Sequence, residues 1–204
     1  MSKIKKLNDE LNNDGEFSIQ FEKPFCVRAV IEGVADLLFH RWSNEDVAEK
    51  SKAKKGSAAK KIDNIESYVH RNENGNLCLL GEQFRMAIIA TAKFKQDPRS
   101  PRKSAYDLYK AGIISINKYC DLGVKDWDYL DQRRVVIQRS AITRSRPALN
   151  KGWRCEVIIQ VNLAEYITAN DIYELLTLAG RVNGMGDFRP TYGRFIVTEF
   201  EKME

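Results

Sequence analysis

The chain has 204 residues, of which 43% are hydrophobic and 30% charged, and it carries a formal net charge of +5. That length suits one domain, or one domain with a sizeable insertion, able to bury a full core without disulfide or metal staples. No apolar run approaches the roughly 20 residues that span a bilayer, and no C-x-x-C pair offers a zinc site.

The opening "MSKIKKLNDELNNDGEF" is polar and lacks an apolar h-region, so no secretory signal is expected. Cys26, Cys78, Cys120 and Cys155 are widely spaced, and Cys26 and Cys155 lie in strand-like runs where a thiol acts as a small hydrophobe. A reducing, cytoplasmic setting is the expectation. Phe17, Ile19 and Phe21, then Phe25, Val27, Ala29 and Ile31, alternate as a strand bent at Pro24. After "VADLLFHRWS" the composition shifts. Residues 45–64 are rich in Lys, Ala, Ser and Gly and have no aromatic residue, which reads as an exposed, mobile basic insertion.

"YVHRNENGNLCLL" reads as a β-hairpin turning at Asn74-Gly75. "GEQFRMAIIATAKFK" is a helix with Phe84, Ala87, Ile88, Thr91 and Ala92 on one face; Met86 and Ile89 are apolar too, so it is expected to be well buried. "AGIISINKYC" and "RRVVIQRSAI" are each read as a strand. "WRCEVIIQVNL" alternates, with Trp153, Cys155, Val157, Ile159 and Val161 on one side. "TANDIYELLTLAG" is a helix capped by Thr168 with Asp171 at the capping-box distance, and Gly180 is placed to end it. "RFIVTEFE" is the last strand. The order strand, insertion with hairpin, helix, strands, helix, strand is the plan of an α+β, ferredoxin-like (RRM-like) fold. It implies one domain over 1–204, an antiparallel sheet and two helices on one of its faces.

The charge is segregated. Residues 133–154 hold seven basic residues (among them Arg139, Arg144 and Arg146) and no acid, while acid gathers in "LNDELNNDGE" and "EFEKME". Such a distribution creates a field that attracts a polyanion. Residues 180–195, "GRVNGMGDFRPTYGRF", form a glycine-rich loop with four glycines, three arginines and the rings of Phe188 and Tyr192. Gly184 and Gly186 permit positive φ and close approach of another backbone. Arg181, Arg189 and Arg194 favour an anionic ligand, and the two rings are suited to stacking on bases. The glycines follow a helix and precede a strand, which excludes a Rossmann fingerprint, and a P-loop lysine is missing.

The helix followed by "AGRVNGMGDFRPTYGRFIV", together with "NGNLCLLGEQFRMAIIATAK", resembles the repeat-associated mysterious proteins (RAMPs), ferredoxin-like RNA-binding subunits of CRISPR systems. A lysine-rich insertion before the first helix is similar to that of the backbone subunits coating guide RNA. In this chain Leu80-Gly81 stands where the superfamily often has Pro-Gly. The resemblance spans Phe17 to Glu201 and extends to phage-borne relatives. It implies a cytoplasmic, single-stranded RNA (guide RNA) binding protein. Such a protein self-assembles along RNA and joins other effector-complex subunits. Some members of the superfamily are endoribonucleases, but no carboxylate cluster, zinc pattern or nucleophile motif is read in these residues, so no cofactor, no metal, no membrane and no catalysis are expected.

The residues assigned to RNA on this basis are His40, Arg41 and Trp42; Lys52, Lys54 and Lys55 of the insertion; Arg85; Arg139, Arg144 and Arg146; and Arg181, Gly184, Gly186, Arg189 and Arg194 of the loop. Arg85, in the first turn of its helix, is read either as an anion contact or as an internal tie. The lysines either clamp RNA, touch a neighbouring subunit or stay solvated. Two other functions stay open: a metal-independent CRISPR-repeat endoribonuclease using His40, and a phage protein that mimics a CRISPR subunit to inhibit host defence. His70 is read as a surface hairpin residue.

Overall fold

The computed structural model describes residues 22–41, 52, 64–137 and 140–203. Pro24 cannot donate to a ladder, and β1 (Phe25–Gly33) begins directly after it. Along β1, Val27, Ala29, Ile31 and Gly33 are buried and the residues between them are not. β1 is a central strand of a four-stranded sheet ordered β12 (Phe195–Met203), β1, β11 (Arg154–Val161), β7 (Ile113–Ser115), with every neighbouring pair antiparallel. The register pairs Ala29 with Val157 and Ile31 with Cys155, so the apolar alternations of both strands fall on one face.

Two helices cover that face. α1 (Gly81–Thr91) and α3 (Ala169–Val182) pack on each other: Thr91 Oγ1 donates to the Leu175 carbonyl at 3.0 Å, and Asn183 Nδ2 to the Ala87 carbonyl at 3.3 Å. Phe84 meets Phe195 edge to face in the core between them. The expected face of α1 is buried, and so is Ile89, but Met86 is 47% exposed. The α3 cap forms as expected, with Thr168 Oγ1 accepting from the Asp171 backbone at 3.2 Å and Asp171 accepting from the Thr168 backbone at 2.9 Å. Gly180 does not end α3, which continues through Val182. A side chain there would collide with Phe195, so glycine lets the helix lie against the start of β12.

The opposite face of the sheet carries Arg28, which bonds Glu156 of β11 and Glu199 and Glu201 of β12. Around the sheet lie smaller units. β2 (Leu37–Leu38) follows β1, and β3 (His70–Arg71) pairs with β4 (Leu77–Leu80) in the expected hairpin, with Gly75 at φ 78°. β8 (Tyr119–Asp121) adds to β4.

Four stretches depart from the sequence reading, the first being "AGIISINKYC", which is not one strand but is split between β7 of the main sheet and β8 beside β4. A third helix, α2 (Tyr106–Gly112), precedes β7; it is too short for its period to register. β5 (Gln96–Asp97) and β6 (Ser100–Ser104) form a small hairpin that its proline-bearing sequence hides. Finally, "RRVVIQRSAI" is not one strand. β9 (Tyr129–Ile137) and β10 (Ser140–Leu149) pair antiparallel from Ile137↔Ser140 to Tyr129↔Ala148. Its reversal carries no Asn-Gly or other glycine signal, so the turn was not legible. The insertion at 45–64, apart from Lys52 and Asn64, lies outside the described residues, as does Phe17–Phe21. Among the described residues no helix is long and apolar enough to cross a membrane.

Candidate nucleic-acid interface

The glycine-rich loop is laced to the chain that follows β1. Asp187 N–H donates to the Leu38 carbonyl (2.8 Å), Gly193 N–H to the Asp36 carbonyl (2.7 Å), and Met185 N–H to the Gly193 carbonyl (2.8 Å). Gly186 and Gly193 have φ of 72° and 69°. A Cβ at Gly186 would strike the Leu38 carbonyl, and one at Gly193 the Met185 carbonyl. The glycines therefore serve close approach, as their clustering suggested, but the backbone they admit is the protein's own. Phe188 also takes a left-handed conformation at φ 54°, and the Arg189–Pro190 peptide is cis.

The loop's rings face arginines of the β9–β10 hairpin. The Arg146 guanidinium lies 4.5 Å from the Phe188 centroid; that of Arg133 lies 5.1 Å from Phe188 and 4.6 Å from Tyr192. Arg133 also forks onto Asp131 at 2.7 and 3.0 Å and donates to the Tyr192 hydroxyl, while Arg146 pairs with Asp187. These contacts hold the Arg133 guanidinium firmly charged, its hydrogen bond to Asp131 being the largest cause. Hairpin and loop are thus clasped by cation–π and charge-assisted bonds, and the rings expected to stack on bases already carry arginines.

Three adjoining clefts, of about 660, 260 and 230 Å³, open over this loop, and Gly186 and Arg189 line all three. Together they make a groove. One end runs between Met86, Ala90 and Val182, at the seam of α1 and α3. The other closes into the 260 Å³ cavity, walled by Phe39, His40, Arg41, Tyr68, His70 and Gln83 among others. Arg189 and Arg41 are exposed and form no ion pair with any described residue. Two acids line the groove among the described residues: Asp187, engaged by Arg146 and, at 3.7 Å, by His40 Nδ1, and Glu82, engaged by Arg85 at 2.6 Å. His40 also meets Tyr68 edge to face at 4.9 Å, and Arg144 Nη1 reaches the Tyr68 hydroxyl at 3.4 Å. His70 is not a surface hairpin residue. Burial, then the nearby charges of Arg41 and Lys118, lowers its pKa to about 4.

The groove thus gathers His40, Arg41, Gly186 and Arg189, with Arg144 beside it. Two of the other assigned arginines are ties of the fold. Arg85 donates to the Ile113 carbonyl (2.7 Å) and the Lys110 carbonyl (2.7 Å) and pairs with Glu82, so its guanidinium is spent holding α1 to the α2–β7 junction. Arg146 is buried, with Nη1 lacking any hydrogen-bond partner. For Arg85 this is the internal tie that the sequence left open as one of two readings; Arg146 had looked like a ligand contact because sequence shows a charge without its partners. Gly184 is buried, and Arg181 and Arg194 are exposed, but none of the three lines the groove. Lys52 is exposed; Trp42, Lys54, Lys55 and Arg139 lie outside the described residues. Residues missed by sequence reasoning are Tyr68, at the end of a 3-10 turn (Ile65–Tyr68), His70 of β3 and Gln83 in the first turn of α1. The open sheet face offers no stacking platform: Cys26, Arg28, Val30 and Glu32 of β1 lie beside Arg154, Glu156, Ile158 and Gln160 of β11, with no ring among them.

Among solved structures, a chain of the Type III-B Cmr-beta complex bound to cognate target RNA superposes with a TM-score of 0.52 at 8% identity, covering 98% of this chain. The two share a fold. This chain spans 64% of the length of that one, less than two thirds. Cmr6 from Pyrococcus furiosus aligns over 87% of this chain and 100% of its own, at TM-score 0.46 and 10% identity. The Csm3-Csm4 subcomplex of the type III-A CRISPR-Cas interference complex matches over 90% of this chain and 80% of that one, at TM-score 0.43 and 11% identity. No family model matches the sequence, and no curated protein does.

Proposed function

We propose that this chain is a ferredoxin-like, RAMP-type subunit of a CRISPR ribonucleoprotein, binding single-stranded RNA without cutting it and assembling along it with further subunits. The observation that carries the reading is the groove over Gly186. Its exposed cations, Arg41 and Arg189, have no acidic partner among the described residues, while the acids that line it are each paired with another arginine, Asp187 with Arg146 and Glu82 with Arg85. Cations left unpaired in a concave site attract phosphates and release counterions on binding. The spatial strand order of the main sheet, last–first–third–second with two helices on one face, supports the ferredoxin-like plan. The fold shared with a chain of the RNA-bound Cmr-beta complex supports the CRISPR setting. The test is to purify the chain from an expressing host, then extract and sequence what co-purifies. Bound RNA with a steep loss of affinity in salt is expected; a preparation free of nucleic acid that also fails to bind added RNA would refute the reading.

One observation favours the ribonuclease alternative: the two histidines, 30 positions apart, line the same cavity. Incubating labelled RNA with and without magnesium decides it. Intact RNA is expected; specific cleavage that disappears in His40→Ala would establish the enzyme.

A further inference from the structure

The 260 Å³ cavity at the closed end of the groove has a chemistry of its own. Its described lining is largely aromatic and polar, with one acid, Asp187, which Arg146 holds, and two exposed arginines, Arg41 and Arg189. Phe39 and Tyr68 are buried, and His40 and His70 add two more rings. Gln83 spends its carbonyl oxygen on the Leu80 N–H (3.3 Å), leaving its amide donors without a partner among the described residues. The His70 imidazole likewise has no hydrogen-bond partner there. Being neutral above about pH 4, it presents one donor and one acceptor. Arg41 and Arg189 stand at the rim.

The volume lies just below the roughly 300–1,000 Å³ of sites for drug-sized ligands, enough for one flat heterocycle with its sugar and not for a stacked pair. A bare phosphate would leave the rings unfilled, and an acidic peptide has no ring to set among them. A metal ion is unsuited, since among the described residues no three His, Cys, Asp or Glu side chains converge to hold one.

We propose that this cavity takes a single nucleotide unit, its base among the rings of His40, Tyr68 and His70 with Gln83 on its edge, and its phosphate on Arg41 and Arg189. The inference rests on the RNA-binding reading for its source: the unit is one unstacked nucleotide of the bound strand, with a free mononucleotide as the other source of the same chemistry. Elsewhere the described lining of the groove offers one ring, Phe188, and that ring already carries Arg146 and Arg133, so this cavity is where base identity is read.

The experiment measures the affinity of the full chain for a 5′-labelled single-stranded RNA and for an abasic ribose-phosphate oligomer of equal length. It compares the unsubstituted chain with His70→Ala and Arg41→Ala, each checked by its thermal midpoint. The unsubstituted chain is expected to prefer the RNA by about tenfold, as one base on an aromatic platform warrants. His70→Ala should shrink that preference to about twofold, whereas Arg41→Ala should weaken both oligomers equally. Adenosine and uridine monophosphates, with inorganic phosphate as control, form the second arm, and only the nucleotides should bind. If RNA and abasic oligomer bind alike with the same salt slope, the cavity reads no base: this inference is overturned and the RNA-binding reading survives. If neither oligomer binds, the RNA reading fails. The mononucleotide arm then decides, with binding lost in His70→Ala upholding the pocket and no binding overturning it. A preference unchanged in a folded His70→Ala also overturns it.

Discussion

Arg28 and Arg189 show two fates of the same side chain. Arg28 sits mid-strand on the open face of the main sheet, where register brings Glu201 opposite it and Glu156 and Glu199 to the diagonals. Cross-strand neighbours of this kind interact strongly enough to claim a charge. Arg189 sits in a loop that has no ladder, so no register hands it an acid, and it lies exposed along all three clefts of the groove. An arginine count therefore does not locate a polyanion site. The proposed site is marked instead by an arginine that the fold both leaves unclaimed among the described residues and sets in a groove.

The largest way to disturb this contrast is to break the loop that holds Arg189. Gly193→Val puts a β-branched side chain at φ 69° and against the Met185 carbonyl, and should cost roughly 3 kcal/mol or more of stability. Thermal or denaturant unfolding checks it, with Gly186→Val as a companion. A near-unchanged midpoint would mean that the loop can be re-laced without its glycines.

Next comes the clasp. Arg146 is 8% exposed and its partner Asp187 32% exposed. Arg146→Ala should cost about 2–3 kcal/mol, less than the about 3–5 kcal/mol of a fully buried pair because solvent reaches Asp187. Unfolding of Arg146→Ala beside Arg85→Ala separates ties from contacts: both should lower the midpoint. If either leaves stability alone and weakens RNA binding, that arginine belongs with Arg189.

The unclaimed cations should behave oppositely. Arg41→Ala with Arg189→Ala should keep the midpoint within about 0.5 kcal/mol. RNA affinity at low salt should fall, and the slope of log K against log salt should flatten by about 1.4, two phosphates at about 0.7 each for a single strand. Arg28→Ala is the control, expected to leave affinity unchanged. Equal losses from Arg28 and from the pair would dissolve the comparison.

The smallest effect concerns pH. His70 has a folded pKa of about 4, below its ordinary 6.5, so the unfolded chain binds the proton first as pH falls. Stability should be full above pH 6.5 and decline between 6.5 and 4. The drop in midpoint from pH 7 to pH 5 should be smaller in His70→Ala. An identical drop would show that His70 is solvated and not walled in beside Arg41.

Much of the frame was legible in the linear pattern. Alternation in 25–31 and 153–161 marked two central strands, and the Thr168–Asp171 box marked the start of α3. Those signals are local: periods of 2 and 3.6 and caps within four residues. The β9–β10 reversal was not legible, because it has no turn residue that declares itself. Nor was α2, two turns long. At the site, sequence singled out the glycine-rich loop and the His40–Arg41 pair as RNA contacts, and the fold sets Gly186, Arg189, His40 and Arg41 around one cavity. Sequence did not bring Tyr68 or His70 to them, since these come from a 3-10 turn and a hairpin strand further along the chain.

By itself, then, the sequence determined the Asn74-Gly75 turn, which strand faces are apolar and how much positive charge the chain carries. Each follows from residues near one another along the chain. Tertiary structure decided which charge is spent. Arg85 meets carbonyls 25 and 28 positions away, and Arg146 meets an aspartate 41 positions away. Arg189 meets no acid among the described residues. Ion pairing depends on a few ångströms of separation in space, and no period along the chain encodes that.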